Sequence, residues 1–263
     1  LGGVDLQAIH DPNANNRIAV NDGFMMTVEN GTEFGLRARM TGEIIEKVDA
    51  KALFRKLAEA AWACADPGIQ YDGVINNWHT CPESGRITAS NPCSEYMHLD
   101  NTSCNLASLN LMKFLKDDGK GHQTFDVERF AQVVELVITA MDISICFADF
   151  PTEKIGENTR AFRQLGIGYA NLGALLMATG HAYDPDGGRS LAGAITSLMT
   201  GTAYRRSSEL AAVVGPYDGY ARNADAHNRV MKQHSDANAT AVRMDDLDTP
   251  VWAAATEAWQ DVL

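Results

Sequence analysis

Asn91-Pro92-Cys93-Ser94-Glu95 sets an amide, a thiol and a carboxyl at positions i, i+2 and i+4, and a second thiol, Cys104, follows Cys93 by eleven residues. In an extended segment such alternate positions point to one side. Asn91, Cys93 and Glu95 then converge on one small molecule as hydrogen-bonding anchor, sulfur and acid/base. Pro92 supports the extended reading, because the residue before a proline is driven out of the helical region and proline itself interrupts a helix. On spacing alone a surface turn with an inert thiol stands beside it, since Asn-Pro is a common turn dipeptide.

The chain around this stretch has 263 residues, enough for one large domain or two small ones, and its apolar fraction of 45% supports a sizeable core. It contains no apolar run of transmembrane length and no signal-peptide pattern. It opens on Leu1-Gly2-Gly3 without a Met and closes on Gln260-Asp261-Val262-Leu263 in a helical pattern, so the expectation is an internal piece of a longer protein. A formal charge of -12 argues against a general nucleic-acid surface but leaves room for a nucleotide pocket, where a few local donors suffice. The five cysteines, Cys64, Cys81, Cys93, Cys104 and Cys146, are too scattered for a secreted disulfide scaffold. Their odd number fits a reducing cytosol, and with no CxxC pair no metal site is expected.

Upstream of the motif, His10 to Arg17 is rich in turn formers and reads first as a solvated loop, with a ligand-reading loop as the alternative. Asn21 or Asp22 caps a short helix through Phe24, Met25 and Val28 that Asn30-Gly31 ends. Phe34 to Met40 and Glu43 to Val48 alternate as short strands. Asp49 caps a helix to about Cys64, which reads as a small core residue. His79 and Cys81 stand two apart, a spacing that a metal or a Cys/His nucleophilic pair would use only with further ligands. Arg86 to Ala89 reads as a strand feeding the motif.

Downstream, Leu106 to Leu115 reads as a short buried strand and Asp126 caps a long helix carrying Phe130, Val134, Ile138, Met141 and Ile145, with Cys146 in the core. Thr152 to Arg163 reads as a polar connection. Leu165 to Gly173 holds a GxG outside any strand–turn–helix context, and its glycines read as packing sites in a buried helix. A helix starts at Asp186 and stops at Gly215-Pro216, a shorter one spans 224 to 233, residues 235 to 249 form a loop, and Pro250 opens a last helix. Short strands mixed with long helices give an α/β fold, 1–263 as a single domain.

The stretch NPCSEYMHLDNTSCNLASLNL (91–111) resembles the active-site segment of the large catalytic chain of ribonucleotide reductases, closest to the adenosylcobalamin-dependent, class II enzymes. HDPNANNRIAVNDGFM, ACADPGIQYDGVINNWHTCPESGRI and FRQLGIGYANLGALLMATGHAYD resemble other segments of that family in the same order, so the likeness covers nearly the whole chain.

That resemblance implies a part of a ten-stranded α/β barrel with a central finger loop carrying the radical cysteine. It implies that Cys93 forms the thiyl radical that abstracts the ribose 3'-hydrogen, that Glu95 is the base on the 3'-hydroxyl, and that Asn91, with Ser90, binds substrate. Cys104 would be one cysteine of a redox disulfide whose partner lies upstream of Leu1. The phosphate loop and the C-terminal cysteine pair would lie beyond Leu263, and the isolated chain is expected to be inactive. The segment His10 to Arg17 resembles the family's specificity loop, with Asn13, Asn15, Asn16 and Arg17 as candidate base readers toward a deoxynucleotide effector. Adenosylcobalamin is the implied cofactor and a ribonucleotide, as the diphosphate, the implied substrate. A thioredoxin-like reductant is an implied partner. A homodimer is allowed, the location is cytoplasmic, and no nucleic-acid or membrane partner is implied. Within the family the alternative is a class I large chain that takes its radical from a partner subunit; the eleven-residue gap before Cys104 is the class II spacing. Outside it, a nucleotide-sensing relative would be expected to lack Cys93 or Glu95. A Cys/His hydrolase would have to pair Cys93 with His79 or with His98, five residues on and on the opposite side of a strand.

Overall fold

The computed structural model describes residues 16–117, 119–121, 123–244 and 248–263. Asn13 and Asn15 lie outside the described residues. The chain divides into two compact units, Leu1–Asp100 and Asn101–Leu263.

In the first unit, β1 (Arg17–Val20) leads into α1 (Asp22–Asn30), which Asn21 caps by accepting the Phe24 N–H at 2.8 Å. An antiparallel pair follows, β2 (Glu33–Arg37) and β3 (Ile44–Asp49). Asp49 then caps α2 (Ala50–Cys64) through the Ala52 N–H. β4 (Gly68–Tyr71) returns to pair with β1 in parallel, Arg17 opposite Gly68 and Val20 opposite Tyr71. Val20, Phe24, Val28 and Ala50 form the small core, with Phe34, Leu53, Phe54 and Ile69 packed on it. A short helix, α3 (Asp72–Asn77), and a 3-10 turn at Pro82–Ser84 lead to the motif.

Two expectations fail in this unit. Cys64 is exposed, its thiol 3.2 Å from the Ala60 carbonyl at the end of α2. Arg86 to Ala89 is no strand. The Asn76 side chain takes both hydrogen-bonding groups of Ile87, accepting from its N–H at 3.1 Å and donating to its carbonyl at 3.2 Å. A backbone satisfied by a side-chain amide has no need of a strand neighbour.

The second unit begins with β5 (Asn105–Asn110), a 3-10 turn at Leu111–Phe114, and the antiparallel pair β6 (Leu115–Asp117) and β7 (Gln123–Phe125). Asp126 caps α4 (Val127–Ile145), whose buried stripe is Phe130, Val134, Ile138, Met141 and Ile145. α5 (Glu153–Phe162) and β8 (Leu165–Ala170) follow, β8 pairing in parallel with β5 from Asn105–Leu165 to Asn110–Ala170. Then come α6 (Leu172–Ala178), α7 (Asp186–Val214), α8 (Tyr220–Thr240) and α9 (Thr249–Val262). The core joins Leu109 and Leu111 to the stripe of α4, to Leu191, Ile195 and Leu198 of α7, and to Val251, Trp252 and Ala255 of α9.

Four readings are corrected here. Cys146 is exposed; it follows α4 outside the buried stripe, with the Arg163 guanidinium 3.7 Å from its sulfur. Thr152 to Arg163 is helix α5, capped by the Thr152 hydroxyl. Its inward face is Gly156, Thr159 and Phe162, so a polar composition hid it. Leu165 to Ala170 is a strand. Leu165, Ile167 and Tyr169 pack on the core, while Gly166 and Gly168 alternate with them on the other face. α8 runs to Thr240 because buried polar residues hold it. Asn238 Oδ1 accepts from Ser197 Oγ at 2.7 Å, Asn238 Nδ2 donates to Thr256 Oγ1 at 2.9 Å, and His234 stacks on Trp259.

The strands of the described residues form four two-stranded ladders and no closed sheet. What is established is a mixed α/β architecture. Among the described residues no helix is long and apolar enough to cross a membrane.

Candidate functional site

Residues 90–97 form a narrow loop. Ser90 and Met97 make an antiparallel bridge at its base. At its tip Asn91 to Ser94 is a β-turn, closed by the Ser94 N–H donating to the Asn91 carbonyl at 3.1 Å. Pro92 occupies the second position of that turn, which its fixed φ suits. Ser94 leaves it at φ 64, the left-handed region. The extended reading of this stretch is therefore corrected. Asn91, Cys93 and Glu95 do not line one side of a strand, and no closed barrel surrounds them among the described residues.

Ser90 is the hub of the loop. Its hydroxyl donates within the loop, toward the Asn91 carbonyl at 2.7 Å and Ser94 Oγ at 3.3 Å, and accepts from Gln70 Nε2 of β4. The hydroxyl expected to touch substrate is thus engaged in holding the turn. Asn91 Oδ1 accepts the Tyr96 N–H at 2.9 Å, which leaves the amide nitrogen to donate outward. Cys93 and Glu95 are exposed. Neither makes a hydrogen bond or ion pair among the described residues, so the thiol and the carboxylate face whatever approaches the turn.

Behind the loop lie two buried histidines. His79 Nε2 donates to the Gly85 carbonyl at 2.9 Å, and its Nδ1 accepts the Cys81 N–H at 3.3 Å. The one basic nitrogen of His79 is taken by the backbone of Cys81, so it cannot activate the buried Cys81 thiol. His98 packs edge-on against His79 at 5.7 Å and is stacked on Tyr96 at 6.2 Å. With His98 in the interior and Cys93 exposed, the Cys/His hydrolase reading loses its base. Among the described residues no group of three or more His, Cys, Asp or Glu side chains is arranged to hold a metal ion.

Burial, then the charge of His79, pushes His98 down to about 4, and burial pushes His79 down as well. The folded protein therefore holds the His98 ring neutral to lower pH than the unfolded chain, which protonates it near its ordinary value. Stability from His98 is fully present above about pH 6.5. It is lost as pH falls toward the folded value of about 4. His98→Phe, which cannot titrate, is expected to lose less of its urea midpoint between pH 7 and pH 4.5 than the native protein does. Equal losses would show that His98 does not drive the acid transition.

Cys104 lies in the second unit, just before β5, half-buried and in no disulfide. The two residues beside it are tied to helices, Ser103 to Thr159 and Asn105 to α4. Of the specificity-loop candidates, Asn16 is exposed, and its carbonyl accepts from Gly68 N at 3.0 Å. Arg17 begins β1 with its guanidinium 3.7 Å from Asp66. Sequence reasoning missed Ser90 as the hub of the turn, and it missed Thr159. Only a long-range contact reveals either role.

Comparison with known proteins places this site in a family. The family model described as ribonucleotide reductase, barrel domain, matches residues 7–263. A vitamin B12-dependent ribonucleotide reductase of Streptomyces clavuligerus is 83% identical over all 263 residues, which are 27% of that relative. One from Rhodopirellula baltica is 47% identical over 254 residues, 95% of this chain and 24% of its own length. A vitamin B12-dependent ribonucleoside-diphosphate reductase of Mycobacterium tuberculosis is 32% identical over 209 residues, 80% of this chain and 30% of its own. The chain thus spans about a quarter of the length of these curated relatives. With a family match that runs almost from end to end, the chain belongs to the ribonucleotide reductases, within their barrel domain.

Proposed function

We propose that the full-length protein reduces ribonucleotides, as diphosphates, to 2'-deoxyribonucleotides, with adenosylcobalamin as radical source and Cys93 as the thiyl residue. The observation that carries this is an intact Asn91-x-Cys93-x-Glu95 with Cys104, in a chain 83% identical throughout to proteins named vitamin B12-dependent ribonucleotide reductases. Those names disfavour the class I alternative, and the name of the Mycobacterium relative supports the diphosphate. We read the parallel pairs β1–β4 and β5–β8 as pieces of the ten-stranded barrel, and residues 90–97 as the tip of its finger loop.

The residues fit such a cofactor in one respect the structure displays: the Cys93 thiol is exposed on a turn, open to a radical delivered from outside the polypeptide. Bound adenosylcobalamin supplies that radical through its weak cobalt–carbon bond. The chain's own groups do the rest. The Cys93 sulfur takes the 3'-hydrogen of the ribose and later returns it. The Glu95 carboxylate, with no partner among the described residues, accepts the proton of the 3'-hydroxyl as the 2'-hydroxyl, protonated by a thiol of the redox pair, leaves as water. The Asn91 amide nitrogen donates to a ribose hydroxyl, with Ser90 holding the turn beneath it. Cys104 and a partner cysteine give up two electrons and two protons, one proton ending in that water and the other on C2', and close a disulfide, which a thioredoxin-like reductant reopens. A deoxynucleotide effector read by residues 13–17, a homodimer and a cytoplasmic location complete the reading.

The test uses full-length protein with a ribonucleoside diphosphate and a dithiol. Deoxynucleotide that forms only with adenosylcobalamin supports the proposal. Turnover without it, dependent on a second subunit, would establish the class I alternative. Glu95→Gln is expected to lower kcat by about a hundredfold to ten-thousandfold, the usual worth of a positioned proton acceptor. Unchanged kcat would remove Glu95 from the mechanism.

A further inference from the structure

We propose that Thr159 and Gly166 are positioning residues for the Cys104 thiol: Thr159 pins the backbone ahead of it, and Gly166 leaves the space its sulfur occupies. This rests on the redox reading of Cys104 and goes beyond it by naming what aims the sulfur.

The residues flanking Cys104 are tied to two different helices. The Ser103 N–H donates to Thr159 Oγ1 at 3.0 Å, and the two hydroxyls lie 3.1 Å apart, so the pair can bond reciprocally. Thr159 is on α5 and only 1% exposed. A threonine inside a helix often turns its hydroxyl back to its own helix, whereas this one is directed at another segment. On the other flank, Asn105 Nδ2 donates to the Met141 carbonyl of α4 at 2.9 Å and to Ser144 Oγ. The two helices are themselves locked together. Arg163, just after α5, donates from Nε to Asp142 Oδ1 at 2.8 Å and from Nη2 to the Asp142 carbonyl at 2.6 Å.

With its backbone fixed, Cys104 has one torsion left to direct its sulfur, and Gly166 sets which directions are open. Gly166 pairs with Leu106, two residues after Cys104 and therefore on the same face. A methyl group at Gly166 would meet Cys104 Sγ at 2.9 Å and would also meet the Leu106 side chain. Leu106 is 61% exposed and can swing away; the sulfur, one bond from Cβ, has to rotate. Disulfide formation requires a narrow Cβ–S–S–Cβ geometry, so a rotated sulfur changes both the rate and the equilibrium of exchange.

The experiment uses prereduced full-length protein in four variants: Thr159→Val, Thr159→Ser, Gly166→Ala and Cys104→Ser. Three quantities are read: kcat and KM for a ribonucleoside diphosphate with a dithiol, the rate of Cys104 alkylation by iodoacetamide, and the Cys104 disulfide equilibrium against glutathione. Thr159→Val and Gly166→Ala are each expected to lower kcat about tenfold with KM little changed, the scale of a small misplacement at a reacting group. The disulfide equilibrium should shift about tenfold, which is about 30 mV for a two-electron couple. Thr159→Ser, which keeps the hydroxyl, should restore all three. Native values of all three quantities in both Thr159→Val and Gly166→Ala, with Cys104→Ser inactive, would overturn the positioning roles and leave the redox reading standing. Full turnover by Cys104→Ser would overturn the redox reading. Alkylation rates then still decide positioning, altered rates supporting it and native rates refuting it. Should Thr159→Val misfold by circular dichroism, Gly166→Ala carries the same test, since its φ lies outside the left-handed region.

Discussion

Cys93→Ser in the full-length protein is expected to bring deoxynucleotide formation down to background while leaving the fold and substrate binding intact. The expectation rests on two independent features of the turn. The first is chemical. A thiol S–H bond is weak enough that its sulfur radical can take a ribose hydrogen and give it back, and a serine O–H bond is too strong for that cycle. The second is structural. The contacts that shape the turn belong to its other members: Ser94 N–H to the Asn91 carbonyl, Asn91 Oδ1 to Tyr96 N–H, and Ser90 to Gln70. Cys93 itself is exposed and holds none of them. Replacing one atom there removes the proposed radical site without loosening the loop, so a loss of turnover reports chemistry. Cys64→Ser is the contrast, an exposed thiol on α2 with no assigned part, expected to turn over as the native protein does. Measurable reduction by Cys93→Ser, with unchanged circular dichroism, would end the thiyl reading of this residue.

What the sequence showed of this site, and what it hid, divides along the range of the interactions. Local signals were legible. Asn21, Asp49 and Asp126 each cap the helix their position announces, and the stripe from Phe130 to Ile145 is the buried face of α4. The family was legible too, through the resemblance of residues 91–111 to the active-site segment of ribonucleotide reductases, on which the roles proposed for Asn91, Cys93, Glu95 and Cys104 are built. The conformation of that segment was not. Pro92 is compatible with both a strand and the second position of a turn, and the choice is made by Gln70 and Tyr96, partners that spacing does not reveal. The same holds for Leu165 to Ala170. Its alternation of large residues with glycine is the period of a strand, yet the glycines suggested helix packing until β5 supplied a partner. Helix α5 and the second half of α8 were hidden for the converse reason. Their buried positions include Thr159 and Asn238, polar side chains whose hydrogen bonds are made across the fold.

Phe130→Ala carries the largest expected effect on stability, and it shows how the support of Cys104 depends on a distant contact. Phe130 is fully buried in the first turn of α4, 5.0 Å edge-on from Phe114 and 5.2 Å from Phe125. Truncating a buried phenylalanine removes its transfer free energy and leaves a cavity, together costing about 3–5 kcal/mol. That is a large share of the 5–15 kcal/mol that ordinarily holds a domain folded. The loss should appear as faster amide hydrogen exchange along α4 in the full-length protein, because the N-terminal half of the helix is anchored by this aromatic cluster. The C-terminal half of the same helix presents the Met141 carbonyl and Ser144 to Asn105, and Asp142 to Arg163. Opening of α4 therefore releases Asn105, the first residue of β5 and the one that follows Cys104. At low temperature, where the variant is folded, kcat should stay near the native value; on warming, turnover should fail earlier, together with protection of α4. Phe130→Leu, which refills most of the space, should recover most of the stability. A Phe130→Ala protein that is fully protected yet slow would contradict this coupling, since it would place the ring's influence on the reacting groups in the folded state and not in the opening of the helix.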